Sequence, residues 1–112
     1  MQSAPAPALH SIFVAVAILL LSGCGMMGCE KYASNYSCGY VENKADYEVW
    51  YWKNVADDNE EDNVPIGHAV GLRMCRENAL AHAEAIRDEF TERSYICVLM
   101  DDGRRMEKHR LL

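Results

Sequence analysis

The N-terminal part of this chain contains ten consecutive apolar residues, from Ile12 to Leu21, with Ser11 before them and Ser22 after them. A helix that spans a bilayer needs about 20 apolar residues, so this run is too short for a stop-transfer segment. Its length matches the apolar core of a secretory signal, which is roughly 7–15 residues long and is followed by small residues. The run therefore predicts export, and only the residues beyond it remain to form the fold.

The tetrad that ends this signal, Leu21-Ser22-Gly23-Cys24, resembles the lipobox of bacterial lipoproteins. The resemblance covers residues 1–24. It implies that residues 1–23 are a signal peptide and that Cys24 becomes the lipidated N-terminus, carrying a diacylglycerol and usually a further acyl chain such as palmitate. Because Gly25 follows the cysteine in place of Asp, the resemblance also implies the periplasmic face of the outer membrane. The alternative is the periplasmic face of the inner membrane.

The mature chain would then contain 89 residues, with 24–28 as a lipid-anchored tether and 29–112 as one small domain. A domain of this size is only marginally stable without cross-links. With Cys24 acylated, the even number of remaining cysteines predicts two disulfides in an oxidising compartment, made by Cys29, Cys38, Cys75 and Cys97. Three connectivities are open. The local pairing closes short loops, but a continuous helix from Cys75 to Phe90 would separate Cys75 from Cys97.

The pattern of the domain predicts an α+β fold, a small β-α-β-β sheet with one amphipathic helix packed on one face. Residues 47–55 are aromatic and β-branched and predict a strand, and the apolar run 95–100 predicts a central strand. Asp102-Gly103 is a hairpin signal that leads to a polar edge strand at 104–111. The acidic stretch 57–63 and Pro65 predict a long loop. The helix lies within 68–93, where apolar residues recur at helical spacing: Leu72, Cys75, Ala79, Ala83, Ile86 and Phe90.

A right-handed crossover through this helix would make the first two strands parallel neighbours. The element order resembles half of a SPOR-type peptidoglycan-binding domain, without the second helix and the fourth strand of that family. Peptidoglycan is therefore one candidate partner, and another envelope protein is the other.

Two groups of side chains are candidate binding residues. Alternation along the first strand places Tyr47 on one face and both tryptophans, Trp50 and Trp52, on the other. One face must pack against the helix. The other is either an exposed aromatic platform or is covered by another segment of the chain. The favoured interpretation is that the tyrosines of the disulfide-closed segment cover it: Tyr32, Tyr36 and Tyr40.

The second group is an acidic loop made of Asp57, Asp58, Glu60, Glu61 and Asp62. All charged residues follow Cys24, and the net charge of −6 would be −1 without these five carboxylates. The loop is either a solvated segment, which is the favoured interpretation, or a contact for a basic protein. Nucleic acid is not an expected partner, because binding it requires a basic face.

No catalytic motif of the G-x-S-x-G, H-E-x-x-H or phosphate-loop type occurs, and His68, His82 and His109 match no metal spacing. The sequence therefore predicts neither an enzyme nor a cofactor, and it carries no signal for an oligomeric state. The expected function is that of a membrane-anchored lipoprotein with a non-catalytic binding or structural role in the bacterial cell envelope. The alternative is a periplasmic inhibitor or immunity protein that binds a basic enzyme or toxin through the acidic loop, residues 57–62.

Overall fold

The computed structural model describes residues 28–57 and 59–112, so the predicted signal peptide, Cys24 and Asp58 lie outside the described residues. Within them, a four-stranded antiparallel sheet carries one α-helix on one face. The predicted α+β fold with a helix on one face and two disulfides is confirmed. The elements are β1 (Asp46–Trp52), β2 (Asn63–Val70), α1 (Leu72–Ile86), β3 (Tyr95–Asp101) and β4 (Arg104–His109).

Strand β2 begins at Asn63, inside the stretch up to Pro65 that the sequence predicted to be a long loop, and that part of the prediction is wrong. The sheet order is β2-β1-β3-β4, so β2 is an edge strand, where Pro65 can lack an N–H without breaking an inner ladder. The register shifts opposite Val49 and Trp50, from Gly67 to Pro65, and Ile66 is left without a partner. Ile66 instead packs against the core. Pairing with β1 therefore stabilises as a strand a segment whose buried and exposed side chains do not alternate regularly.

The extra strand also changes the direction of the sheet. Strand β1 pairs antiparallel with β3, with Tyr51 opposite Tyr95 and Asp46 opposite Met100. The expectation of parallel neighbours is therefore wrong. Helix α1 connects β2 to β3, and these two strands run parallel to each other because each is antiparallel to β1. The crossover rule was applied to the wrong pair of strands, since β2 had been assigned to a loop.

Helix α1 lies within its predicted range and buries the first part of the predicted stripe. Four small or apolar residues of the stripe are at most 1% exposed: Leu72, Cys75, Ala79 and Ala83. Ile86 is 38% exposed and Phe90 lies beyond the helix, because the chain leaves α1 at Arg87 in the left-handed conformation. The sheet supplies the largest side chains of this core, Tyr47, Tyr51 and Tyr95, opposite the small residues of the helix.

Each disulfide joins two cysteines that follow one another in the order of the cysteines along the chain, so the local pairing is the one that forms. Cys29–Cys38 closes an irregular segment that contains a short 3-10 helix, and Cys75–Cys97 joins α1 to β3 inside the core. The geometric objection fails because α1 ends at Ile86. The eight residues 87–94 can span about 26 Å when extended, which is enough to return the chain along the helix. The Cα atoms of Cys75 and Cys97 are 6.2 Å apart.

The hairpin between β3 and β4 confirms the predicted turn. Asp102 and Gly103 both have positive φ angles, 52° and 75°, as the tight turns that match strand twist require. Strand β4 is the second edge of the sheet, as predicted.

Candidate functional site

The sheet face opposite α1 carries both tryptophans, as the alternation predicted. Tyr47, Val49 and Tyr51 are completely buried on the helix side, so Trp50 and Trp52 project from the other side, where they are half-buried. The assignment of Tyr47 as a binding residue is wrong, because its side chain belongs to the core. We call the tryptophan side the open face and define it by Trp50, Trp52, Ile96, Val98 and Lys108.

A groove of about 530 Å³ lies on the open face. Trp50, Ile96 and Val98 form its apolar part, and Arg105 and Lys108 line it from β4. A second groove of about 320 Å³ continues from Trp52 toward Arg93 and Arg110. The open face therefore joins an aromatic and aliphatic centre to a cationic edge, on a protein whose net charge is −6.

Trp50 is held in place by a charged pair. The indole Nε1 of Trp50 donates to Glu48 Oε1 at 3.3 Å, and Arg105 Nε donates to the same oxygen at 2.8 Å. The Arg105 guanidinium lies 5.4 Å from the centroid of the Trp50 ring, within the range of a cation–π contact. The hydrogen bond from Arg105 holds the pKa of the Glu48 carboxyl below its usual range. Glu48 thereby neutralises Arg105, so Arg105 adds little to the charge of the face.

Lys108 differs from Arg105 in its surroundings. It is exposed beside the groove, and no carboxylate of the described residues lies within ion-pair distance of its ammonium group. Arg110 is also exposed, and its Nε donates to the carbonyl oxygen of Tyr95 at 2.7 Å. A neutral carbonyl orients the guanidinium but does not cancel its charge. Lys108 and Arg110 are therefore two cations that the β4 edge of the open face offers to a ligand.

Trp52 connects the open face to the acidic loop, a contact that the sequence did not predict. Its Nε1 donates to the carbonyl oxygen of Asn59 at 2.8 Å, and the Asn59 side chain accepts from the backbone N–H of Glu61 at 3.1 Å. Asp57, Glu60 and Glu61 are exposed and form no ion pair with a described residue, and Asp62 is half-buried. The acidic loop is thus anchored at the β1–β2 end of the sheet.

The tyrosines of the disulfide-closed segment do not cover the open face, so the favoured interpretation is wrong. Tyr36 and Tyr40 stack with ring centroids 5.2 Å apart and pack against the buried core. The ring of Tyr32 meets His109 edge-on at 5.8 Å, at the margin of the sheet. The segment packs there because Glu107 of β4 binds it: Glu107 accepts hydrogen bonds from Ser34 Oγ at 2.6 Å and from the Asn35 N–H at 3.0 Å.

Glu107 is the centre of this contact and is mostly buried, with 14% of its side chain exposed. Burial raises the pKa of its carboxyl, but the hydrogen bonds from Ser34, Asn35 and His109 outweigh that effect and lower the pKa below its usual range. The Nε2 atom of His109 lies 2.8 Å from the Glu107 carboxylate. The sequence contained no signal for the contact between Glu107 and Ser34, which are 73 positions apart.

We expect the Glu107 contact to make the protein less stable in acid. Because the pKa of Glu107 is lowered in the folded state, its stabilising effect is complete above the unfolded value of about 4.3 and is lost as pH falls through the folded value. Glu107→Gln should reduce the free energy of unfolding at neutral pH by about 1.5–3 kcal/mol, the range for hydrogen bonds to a charged group. In the variant, the free energy of unfolding should also fall less steeply as the pH decreases. Denaturant titration at a series of acidic and neutral pH values measures this dependence.

Glu77→Gln is the matched control, since Glu77 is exposed on α1 and makes no hydrogen bond or ion pair through its side chain with the described residues. If the free energy of unfolding falls equally steeply in acid for the Glu107 variant and for the control, this role of Glu107 would be contradicted.

No protein-family model, no curated protein and no solved structure is similar to this chain. In the described part of the chain, no group of three or more His, Cys, Asp or Glu side chains is placed to hold a metal ion. The same residues include no helix that is long and apolar enough to cross a membrane.

Proposed function

We propose that this protein is a lipid-anchored lipoprotein of the bacterial cell envelope with a non-catalytic binding role, and that it binds through the open face. The observation that carries the proposal is a sheet face on which two half-buried tryptophans, an aliphatic centre and a cationic edge line two adjoining grooves. An antiparallel sheet can leave one face in water, but that face is then normally polar. Aromatic residues beside unpaired cations are typical of an interaction surface.

The proposed location has two supports. The tetrad Leu21-Ser22-Gly23-Cys24 matches the lipobox pattern, and the two disulfides of the domain suit an oxidising compartment such as the periplasm. Only four residues separate Cys24 from Cys29, so an extended tether would reach about 17 Å at most. The domain would therefore work close to the membrane. Because Gly25 follows the cysteine, we place it on the periplasmic face of the outer membrane, with the inner membrane as the alternative.

A second candidate function is inhibition of a basic enzyme or toxin through the acidic loop. It is favoured by the exposed carboxylates of Asp57, Glu60 and Glu61, which form no ion pair with a described residue. The hydrogen bond between Trp52 and Asn59 holds this loop against the sheet, so a partner could meet an ordered surface. The loop and the cationic edge of the open face suit partners of opposite charge.

The proposed anchor is tested by mass spectrometry of the protein recovered from membranes. We expect a chain that begins at Cys24 and carries the mass of its acyl groups, and we expect Cys24→Ser to abolish this modification. Ser22→Ala is the control, since it keeps a small residue in the tetrad and should be lipidated normally. A mature N-terminus upstream of Cys24, or a free thiol at Cys24, would overturn the proposal.

The two candidate functions are separated by crosslinking in intact envelopes. Neutralising the five acidic residues of the loop should leave the crosslinked species unchanged if binding occurs through the open face, whereas Lys108→Glu should reduce them. The reverse pattern, in which the acidic-loop variant loses its crosslinked protein and Lys108→Glu keeps it, would favour the inhibitor.

A further inference from the structure

We infer that the open face docks directly on the anionic surface of the bilayer to which Cys24 is anchored, with Trp50 and Trp52 at the level of the lipid headgroups. This inference rests on the proposed function, because it requires a lipidated Cys24. It adds a second contact with the membrane, made by the folded domain, and it determines which side of the domain faces the lipid.

The position of the first residues of the folded domain supports this orientation. A shallow groove of about 390 Å³ brings Lys31 together with Ile96, Lys108 and Leu112, so the first residues of the domain lie beside the open face at its β4 edge. The backbone of Cys29 pairs with Ser34, whose hydroxyl donates to Glu107 of β4 at 2.6 Å. The anchored tether, at most about 17 Å long, would thus hold the β4 edge next to the bilayer.

The side chains near this edge have the chemistry of a membrane interface. Tryptophan is enriched at the headgroup level, where its ring is partly apolar, and Lys or Arg side chains attract anionic lipids. Trp50 and Trp52 supply the rings, and Lys108 and Arg110 supply the cations. Exposed apolar residues lie along the same strand and its continuation: Met106 is 46% exposed and Leu112 is 72% exposed.

The indole N–H groups already have acceptors inside the protein. Trp50 donates to Glu48 and Trp52 donates to the carbonyl oxygen of Asn59. A polar group that leaves water without a hydrogen-bond partner costs free energy, so these internal acceptors reduce the cost of moving the rings out of water. Both rings can therefore enter the headgroup region without leaving a donor unpaired.

The acidic loop defines the tilt of the domain. It joins β1 to β2, the edge strand opposite β4 in the order β2-β1-β3-β4, and it contacts the open face through the hydrogen bond from Trp52 to Asn59. An anionic surface attracts Lys108 and Arg110 and repels Asp57, Glu60 and Glu61. The β4 edge should therefore lie closest to the lipid, with the β2 edge and the acidic loop tilted farther from it.

The composition of the chain provides a direct probe. It contains two tryptophans, and both lie on the open face, so its tryptophan fluorescence reports on this face alone. The lipidated protein is reconstituted into phosphatidylethanolamine vesicles with or without phosphatidylglycerol, and a parallel set carries brominated acyl chains that quench nearby tryptophan. We expect an emission shift to shorter wavelength, quenching by brominated lipid, and protection from aqueous iodide. All three effects should be stronger when phosphatidylglycerol is present.

Lys108→Glu and Lys44→Glu form a matched pair of variants. Each cation near an anionic surface changes the association constant about fivefold. Reversing the charge of one residue removes an attraction and adds a repulsion, so it should change the ratio of docked to undocked protein about 25-fold. Lys44 is exposed on the segment that contacts α1, away from the open face, and its reversal should leave the quenching unchanged. Both variants keep Cys24 and remain attached to the vesicles.

Mass spectrometry of the same sample separates the two proposals. Correctly acylated protein whose tryptophans are not quenched by brominated lipid would overturn docking and leave the anchor in place, whereas unmodified Cys24 would overturn the proposed function. Quenching that is equal in Lys108→Glu and Lys44→Glu would overturn the cationic contact. Fluorescence that does not respond to lipid but shifts with peptidoglycan fragments, or with protein concentration, would assign the open face to a glycan or to a second copy.

Discussion

Replacing Cys75 and Cys97 together with alanine is expected to lower the free energy of unfolding by about 3.4 kcal/mol. The cross-link spans 22 positions, and the chain-entropy relation assigns about that free energy to a loop of this length. Both cysteines are fully buried where α1 meets β3, so alanine at both positions also removes core volume. Denaturant titration under non-reducing conditions, followed by tryptophan fluorescence, measures the change.

Cys29→Ala with Cys38→Ala is the matched control. Its loop spans 9 positions, and the same relation assigns it about 2.6 kcal/mol. It lies in the segment that packs on the margin of the sheet rather than between the helix and the sheet. A larger loss in this variant than in the Cys75 and Cys97 variant would show that the N-terminal segment, and not the α1–β3 cross-link, limits the stability of the domain.

Tyr47→Ala is expected to lower the free energy of unfolding by about 4 kcal/mol, within the range measured for large aromatic residues in protein cores. Tyr47 is completely buried under α1, and its hydroxyl donates to the carbonyl oxygen of Val41 at 2.7 Å. Burial raises the pKa of this hydroxyl, so it stays protonated and remains a donor throughout the neutral range. The variant loses both the ring and the hydrogen bond.

Tyr47→Phe separates these two effects, because it keeps the ring and removes only the hydroxyl. It should cost about 1 kcal/mol, the usual net contribution of one hydrogen bond. The same denaturant titration compares the two variants. If both lose the same free energy, the contact with Val41 and not the packing of the ring would be the main contribution of Tyr47.

Local patterns in the sequence correctly predicted the elements whose own apolar residues recur with a clear period. The aromatic alternation of β1, the helical stripe from Leu72 to Ala83, and the apolar run of β3 each have a period that one structure satisfies. The turn at Asp102-Gly103 depends on two residues that accept positive φ angles. These elements were correctly assigned because the information lies within a few neighbouring residues.

Strand β2 was missed because its residues carry no such pattern. Its burial does not alternate regularly, Pro65 opposes a strand assignment, and most of its side chains are exposed. It forms because β1 offers an unpaired edge and because a bulge in β2, opposite Val49 and Trp50, accommodates Ile66. Its presence reverses the relation of β1 to β3 from parallel to antiparallel, so one missed strand changed the topology of the whole sheet.

The candidate site shows the same division between local and distant information. Alternation alone placed Trp50 and Trp52 on the face opposite Tyr47, since successive side chains of a strand point to opposite sides. Whether that face is covered depended on a contact between Glu107 and Ser34, and the pairing of Cys75 with Cys97 depended on how residues 87–94 return along α1. Those outcomes involve residues far apart in the chain, whose meeting is decided by packing and hydrogen bonding in three dimensions rather than by any local period.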